Sequence, residues 1–256
     1  MKTEQEIIQS LSNYLRKAEK LFVFTGAGIS TDSGIPDFRG PDGVWKRRQP
    51  VYYQDFMAYE ESRVEYWEYK LEWWEQNRSA QPNSIHSAIA ELEKQGKILK
   101  VVTQNIDGLH RIAGTSPGKL IELHGTNWEV ECQSCGDRSE PGEHFDYLKQ
   151  TAKAPLCKCG GYLKPATISF GQNLISEDMD EAFEVALKAD CVLSLGSTLS
   201  VYPASTFPLE AAKRGTPYII INQGATDHDG LNEVSLRIDG KIGNVFPQAV
   251  KLALIG

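Results

Sequence analysis

Apolar residues follow two rhythms along the chain, one with helical spacing and one in short unbroken runs. Over residues 3–19, Ile7, Ile8, Leu11, Tyr14 and Leu15 share one face of a helical repeat, which predicts an amphipathic helix. The run Leu21 to Phe24 comes next, apolar and β-prone throughout, and Thr25-Gly26-Ala27-Gly28 breaks it. A run without polar alternation predicts a strand buried on both faces. The same alternation returns downstream. A helix over 84–95 ends at Gly96, and strands over 98–103, 120–124 and 166–170 follow. Then come a helix over 177–188, a strand over 191–195, a helix over 203–214, and strands over 218–221 and 234–238. Strands separated by helical patterns predict an α/β fold, a parallel sheet with helices on both faces.

Two stretches depart from this rhythm. From Tyr52 to Trp74 the chain is rich in rings and carboxylates, including Phe56, Tyr59, Tyr66, Trp67, Tyr69, Trp73 and Trp74. Helices packing on the main domain are the expectation there. From Cys132 to Gly161 cysteine, glycine and polar residues dominate. The expected organisation is a main domain from 1–45, 84–130 and 165–256, a helical module at 46–83 and a zinc-binding module at 131–164. There is no internal repeat and no low-complexity tail.

At 256 residues, 41% hydrophobic and 24% charged, the chain has the composition of an ordinary globular protein with a substantial core. A formal net charge of −7 leaves no global basic field for nucleic acid, and Lys46-Arg47-Arg48 reads as a solvated loop. The charged N-terminus lacks the apolar core of a signal peptide and no apolar run reaches membrane-spanning length, so a cytoplasmic protein without membrane partners is expected.

Four of the five cysteines form two pairs, Cys132-x2-Cys135 and Cys157-x-Cys159. Beside glycines that allow tight knuckles, two such pairs suit tetrahedral thiolate coordination of one structural zinc, with no open position for catalysis. The fifth, Cys191, sits inside an apolar run and reads as packing. A zinc ribbon that binds nucleic acid is the competing reading. Lys149, Lys153, Lys158 and Lys164 are outweighed there by Glu131, Asp137, Glu140, Glu143 and Asp146.

Strand ends carry the remaining chemistry. Gly26 and Gly28 offer unhindered N–H groups to a phosphate, with a helix opening behind them, yet the match to G-x-G-x-x-G is imperfect because Thr31 stands at the third position and Gly34 arrives late. A structural turn and a nucleotide site both remain open on these residues alone. Gln104-Asn105-Ile106-Asp107 ends the strand over 98–103, a typical ligand-binding place in open α/β sheets. His124, before Gly125, closes another strand where a base could face a cleft. The other histidines, His86, His110, His144 and His228, read as surface or supporting residues.

Taken together, GAGIS at 26–30, SGIPDFRG at 33–40 and Gly43-Val44-Trp45 resemble the cofactor signature of the sirtuins, the NAD-dependent protein-lysine deacylases, here of bacterial or archaeal type. TQNIDGLH at 103–110, LHG at 123–125, Lys164-Pro165 with ISFGQ at 168–172, GSTLSVYP at 196–203 and INQG at 221–224 match the later motifs in order, although the hydroxyl residues Ser197 and Thr198 are exchanged. The resemblance runs from about residue 21 to the C-terminus.

It implies a Rossmann-like domain that takes NAD as co-substrate through Gly26, Ala27, Gly28, Thr31, Asp37, Phe38, Arg39, Trp45, Gln104, Asn105, Ile106, Asp107, His124, Gly196, Ser197, Thr198, Asn222, Gln223, Gly224 and Ile242. By the same resemblance Asp107 and the Ile106 backbone hold the nicotinamide carboxamide, and Asn105 with Gln104 positions ribose and water. The acyl-lysine oxygen attacks the ribose carbon to give an alkylimidate, and His124 acts as general base, so that His124, Asn105 and Asp107 are the catalytic set. An acyl-lysine protein or peptide is expected between Phe170-Gly171-Gln172 and Ser200-Val201-Tyr202, pairing as an added strand. The implied activity is protein-lysine deacetylation that releases nicotinamide and O-acetyl-ADP-ribose. The rivals are an ADP-ribosyltransferase or NAD glycohydrolase, an NAD dehydrogenase and a non-catalytic zinc module. Family members that remove dicarboxylate acyl groups carry a Tyr and an Arg three residues apart. The register places Glu68 and Leu71 there, so a neutral acyl group is expected.

Overall fold

The structure, a computed structural model, describes residues 3–38, 43 and 48–255. Arg39 and Trp45, both expected at the cofactor, lie outside the described residues, as do Lys46 and Arg47.

In chain order the first half comprises α1 (Glu4–Lys17), β1 (Leu21–Thr25), α2 (Tyr53–Ala58), α3 (Glu60–Asn77), α4 (Ser84–Lys94), β2 (Ile98–Thr103), α5 (Leu109–Ile112) and β3 (Leu120–Glu122). The second half comprises β4 (Gly125–Cys132), β5 (Arg138–Ser139), α6 (Gly142–Thr151), β6 (Leu163–Thr167), α7 (Ser176–Lys188), β7 (Cys191–Leu195), α8 (Thr206–Lys213), β8 (Tyr218–Asn222), β9 (Val234–Asp239) and α9 (Ile242–Leu254). Helix α1 starts where its sequence says it should. Thr3 accepts from the Glu6 amide at 3.3 Å and Glu6 accepts from the Thr3 amide at 2.7 Å, a reciprocal cap.

Six strands form a parallel sheet in the order β3-β2-β1-β7-β8-β9. Strand β1 shows why its run lacks alternation. Leu21 and Val23 face one apolar cluster with Leu11, Leu15, Ile89 and Phe246, while Phe22 and Phe24 face a second with Val192, Phe207 and Ile220. Both faces are therefore core, and each such side chain contributes roughly 1.5–3 kcal/mol on burial. The strand order reverses between β1 and β7, which opens a crevice at their carboxyl ends.

A second sheet of three antiparallel strands, β5-β4-β6, stands beside the first. Three expectations change here. The stretch over 166–170 is not a strand of the parallel sheet; β6 spans Leu163–Thr167 and pairs with β4, because β-prone composition does not say which partner a strand finds. The division at 130/131 and 164/165 consequently falls inside β4 and inside β6. Finally, the aromatic helices pack on the main domain, where Trp73 meets Ile35 and Leu109, and on the cysteine-bearing stretch as well. Phe56, Tyr66 and Trp67 share one cluster with Val130, Cys132, Phe145, Leu148 and Leu163, and Trp67 Nε1 donates to the Leu163 carbonyl at 2.9 Å. The helical and cysteine-bearing stretches thus share a core. Among the described residues no helix is long and apolar enough to cross a membrane.

Candidate active site

The crevice between β1 and β7 is built by glycines in close contact. Gly26 donates its amide to Leu195 at 3.0 Å, Gly28 donates to Gly196 at 2.9 Å, and Gly196 donates to Ile221 at 3.0 Å. A Cβ on Gly28 would stand 2.8 Å from Gly196 Cα, and one on Gly26 2.7 Å from the Gly196 oxygen. These N–H groups were expected to face a phosphate, but they join two loops instead. Glycine is required there for backbone approach. Among the described residues no α-helix opens behind them either. Two short 3-10 turns, Ala27–Ile29 and Thr31–Ser33, follow, so the aligned peptide dipoles of a long helix are absent.

Beyond β2 the chain is pinned on all sides. The Asn105 amide donates to Thr103 Oγ1 at 3.0 Å, and Asn105 Nδ2 donates to the Gly26 carbonyl at 3.2 Å. Asp107 is buried, with Ser30 Oγ donating to Oδ2 at 2.7 Å and the Leu109 amide to Oδ1 at 2.9 Å. Burial raises its pKa, and the Leu109 and Ser30 hydrogen bonds oppose that rise. Gln104 Nε2 reaches across to Ser197 Oγ at 2.8 Å, joining the ends of β2 and β7.

His124 Nδ1 lies 3.1 Å from the Gln104 carbonyl, which can only accept, so Nδ1 carries the proton and Nε2 is the basic nitrogen of the neutral ring. Its position is clamped from below. The Ile168 amide donates to the His124 carbonyl at 2.8 Å, and Gly125 takes φ +71° with the Ala166 oxygen 2.0 Å from where a Cβ would lie.

These strand ends open onto one cleft of about 600 Å³. Of the residues expected at the cofactor, Gly26, Ala27, Gly28, Asp37, Phe38, Gln104, Asn105, Ile106, His124, Gly196, Ser197, Thr198, Asn222 and Gln223 line it. Phe170, Gly171, Gln172, Val201 and Tyr202, expected at the peptide, line it too. Five do not. Thr31 donates its hydroxyl to the Gly28 carbonyl at 3.1 Å, and Asp107 sits behind Ser30. Ser200 Oγ is bonded to Thr198 Oγ1 at 2.8 Å, the Gly224 amide donates to Asp239 at 2.8 Å, and Ile242 is buried in the core under the sheet. On the peptide side the Phe170 and Gly171 carbonyls already accept from the Tyr53 amide at 2.9 Å and from Gln54 Nε2 at 3.0 Å.

Tyr66, Tyr69 and Lys70 of α3 complete one wall with Arg48 and Val51, and the sequence reading did not name them as site residues. The register that placed Glu68 and Leu71 there is displaced: Glu68 is exposed and Leu71 packs in the aromatic cluster. The signal was present in the buried stripe Arg63, Tyr66, Lys70, Trp73 and Asn77, polar groups at core spacing. A neutral acyl group was expected for want of a counter-ion at this wall; Lys70 places an amine there, with Nζ donating to Asn127 Oδ1 at 2.9 Å, although burial lowers its pKa and so disfavours its charge. Burial by itself would raise the Tyr66 phenol, but Lys164 and then Lys70 outweigh it and bring it down to about 7.

Away from the cleft, the sulfurs of Cys132, Cys135, Cys157 and Cys159 all lie within 4.8 Å of one another. Cys132 and Cys159 stand 3.5 Å apart and Cys135 and Cys157 3.8 Å, too far for disulfides. Four thiolates held about 2.3 Å from one zinc sit about 3.8 Å apart, so the cluster fits that ion. The Ser134 amide points at Cys132 Sγ across 3.5 Å and the Gly161 amide at Cys159 Sγ across 3.4 Å, as thiolates favour.

Comparison with known proteins agrees with this arrangement. The Sir2 family profile matches residues 26–203. An NAD-dependent protein deacetylase of Rhodopseudomonas palustris is 38% identical over 233 residues, covering 91% of this chain and 92% of that protein. A Sir2 structure with a deacetylated p53 peptide and 3′-O-acetyl ADP-ribose superposes with a TM-score of 0.87 at 34% identity, over 96% of this chain and 97% of the other. A Sir2 homolog in complex with NAD gives 0.84 at 33% identity, over 96% and 93%. With the strand ends converging on one cleft and the family profile spanning most of the chain, this protein belongs to the Sir2 family.

Proposed function

We propose that this protein is an NAD-dependent protein-lysine deacetylase. The observation that carries the reading is the meeting of the ends of β1, β2, β3, β7 and β8 on one cleft, with His124 Nε2 as the base and Phe170, Gln172 and Tyr202 among the other lining residues. NAD supplies a nicotinamide–ribose bond that breaks without redox chemistry and a ribose that takes up the acyl group. The remaining work falls to this chain. Asp107, buried behind the cleft, is positioned by Ser30 and orients the loop at Ile106 whose backbone would bind the carboxamide. Asn105 positions ribose and water, and Gln104 does so from its bond to Ser197. His124 accepts the ribose proton at Nε2 while Nδ1 keeps its own proton and donates it to the Gln104 carbonyl, the geometry of an oriented general base. Gly26, Gly28 and Gly196 shape the floor on which the pyrophosphate rests, with Ser197, Thr198, Asn222 and Gln223 toward the adenosine. Phe170 and Tyr202, both partly exposed at the mouth, flank the peptide. The four cysteines would hold zinc as a structural ion, and none of them lines the cleft.

Mass spectrometry of products from NAD and an acetyl-lysine peptide tests the reading. Acetylated ADP-ribose should appear, nicotinamide release should depend on the peptide, and His124→Ala should abolish turnover while largely sparing NAD binding. Nicotinamide release at the same rate without peptide would establish a glycohydrolase instead.

A further inference from the structure

Behind Asn105 a line of buried polar groups leads away from the cleft. The Asn105 amide donates to Thr103 Oγ1 at 3.0 Å, Thr25 Oγ1 donates to Thr103 Oγ1 at 2.7 Å, and His110 Nε2 lies 3.0 Å from Thr25 Oγ1. Thr25 has one hydroxyl hydrogen and gives it to Thr103, so it can only accept from His110. The His110 ring is therefore protonated on Nε2, and its Nδ1 is a bare acceptor. That Nδ1 is buried with no hydrogen-bond partner among the described residues.

The neighbouring ring supplies the complement. The Asn83 amide donates to His86 Nδ1 at 3.4 Å, which places the His86 proton on Nε2, and this atom too is buried without a partner among the described residues. The two ring centroids stand 5.2 Å apart, edge to face. Among the described residues one donor and one acceptor, each lacking a partner, thus occupy adjoining rings, and each group buried in this way costs stability.

Thr25 and Thr103 are register neighbours on β1 and β2, where Val23 and Val101 fill the pair two residues earlier, on the same face. Valine would pack as well there and would need no relay, so strand pairing does not require the hydroxyls. Among the described residues the line of hydroxyls ends at the backbone of Asn105 at the cleft.

We propose that His110, its tautomer set beside His86, is a positioning residue for the deacetylation reaction: through Thr25 and Thr103 it holds the Asn105 backbone, and with it the Asn105 side chain, against the cleft. This rests on the reading of the cleft given above. Burial pushes His86 down to about 4, and burial together with His86 pushes His110 down to about 3, so both rings stay neutral at physiological pH and the direction of the line does not reverse.

The test compares His110→Phe, which removes the donor, with His110→Gln, whose amide N–H reaches the place of Nε2. His110→Phe should lower kcat for peptide-dependent nicotinamide release by about tenfold or more with the KM for NAD within about twofold. Exchange of the Asn105 amide hydrogen, followed by NMR, should be at least about tenfold faster. His110→Gln should keep both near the parent values. Adding Thr25→Val to His110→Phe should cost nothing further, because the two act in one line. If His110→Phe does not fold, Thr25→Val and Thr103→Val carry the same comparison with little change of shape. Turnover by His110→Phe within about twofold of the parent, equal damage from Phe and Gln, or multiplying effects in the double variant would each overturn the proposal. Should the parent release nicotinamide without peptide, the deacetylase reading fails alone, and the Asn105 exchange rates still judge the line from His110.

Discussion

Ser30 donates its hydroxyl to Asp107 Oδ2 across 2.7 Å, and both side chains are withdrawn from water. The hydroxyl also stands 3.3 Å from Asn105 Nδ2, so one serine links a residue proposed behind the nicotinamide to one proposed at the ribose. Ser30→Ala should lift the Asp107 pKa further, since burial would be opposed by the Leu109 amide with less help. The acid limb of the kcat/KM profile should then move to higher pH. A related sign follows for stability. A carboxyl whose folded pKa is raised costs stability above its unfolded pKa, so Asp107→Asn should be at least as stable as the parent at pH 7 while losing turnover. Urea melts beside the assay decide it.

Gly125→Ala should be among the most damaging single changes in the chain. Its Cβ would fall 2.0 Å from the Ala166 carbonyl oxygen at a φ of +71°, and neither strand can yield without moving His124. A loss of more than about 4 kcal/mol is expected, read by denaturant unfolding of whatever soluble protein forms. A variant of near-parental stability would mean that this contact is not rigid.

Removing zinc should loosen the substrate side of the cleft before the cofactor side. Cys132 shares its apolar cluster with Phe56, Tyr66 and Trp67, and Tyr66 lines the cleft. Structural zinc sites carry apparent binding energies of about 10–16 kcal/mol, so Cys157→Ser or chelation should raise the KM for peptide far more than the Kd for NAD. Equal loss of both would tie the zinc module to the whole molecule.

Acid should unfold this protein steeply. His86 and His110, held near 4 and 3, are neutral in the folded state, whereas the unfolded histidine value is 6.5. A depressed folded pKa gives stability that is present above the unfolded value and is lost as pH falls through the window toward 4 and then 3. Each ring should add a slope of about 1.4 kcal/mol per pH unit within that window. His110→Gln should remove one of the two slopes, as chemical denaturation at a series of pH values would show.

Tyr66 should titrate as the unusual phenol of the molecule. With Lys164 and Lys70 beside it, its ionisation is brought down to about 7, and tyrosinate absorbance should report one phenol changing near neutral pH. Lys164→Met should move that step upward. The folded pKa is depressed, so this group adds stability as pH rises from about 7 toward the unfolded value of 10.0, and the variant should lose that gain.

Much of this was legible in one dimension. The unbroken run Leu21 to Phe24 announces a strand with core on both faces, and alternation of such runs with helical stripes is enough for a parallel sheet, because each pattern reports burial of neighbouring residues by the same backbone geometry. The paired cysteines were readable for a similar reason, since zinc coordination depends on short local spacing. His124 stood out by lying at a strand end, and Gln104 to Asp107 likewise.

What the tertiary structure decided concerns partners rather than elements. Gly26 and Gly28 looked like phosphate donors until Gly196, far along the chain, took the Gly28 amide. Tyr66 looked like part of a helix packed on the main domain until Val130 and Leu163 of the antiparallel sheet joined its cluster and it formed part of the cleft wall. His86 and His110 looked incidental until Thr25 and Thr103 met across β1 and β2. Sequence by itself determined which stretches form strands, helices and metal knuckles, because these depend on groups a few residues apart. Which hydrogen bond each polar group makes was left to the fold, because a donor cannot choose its acceptor until distant segments are packed together and water is gone.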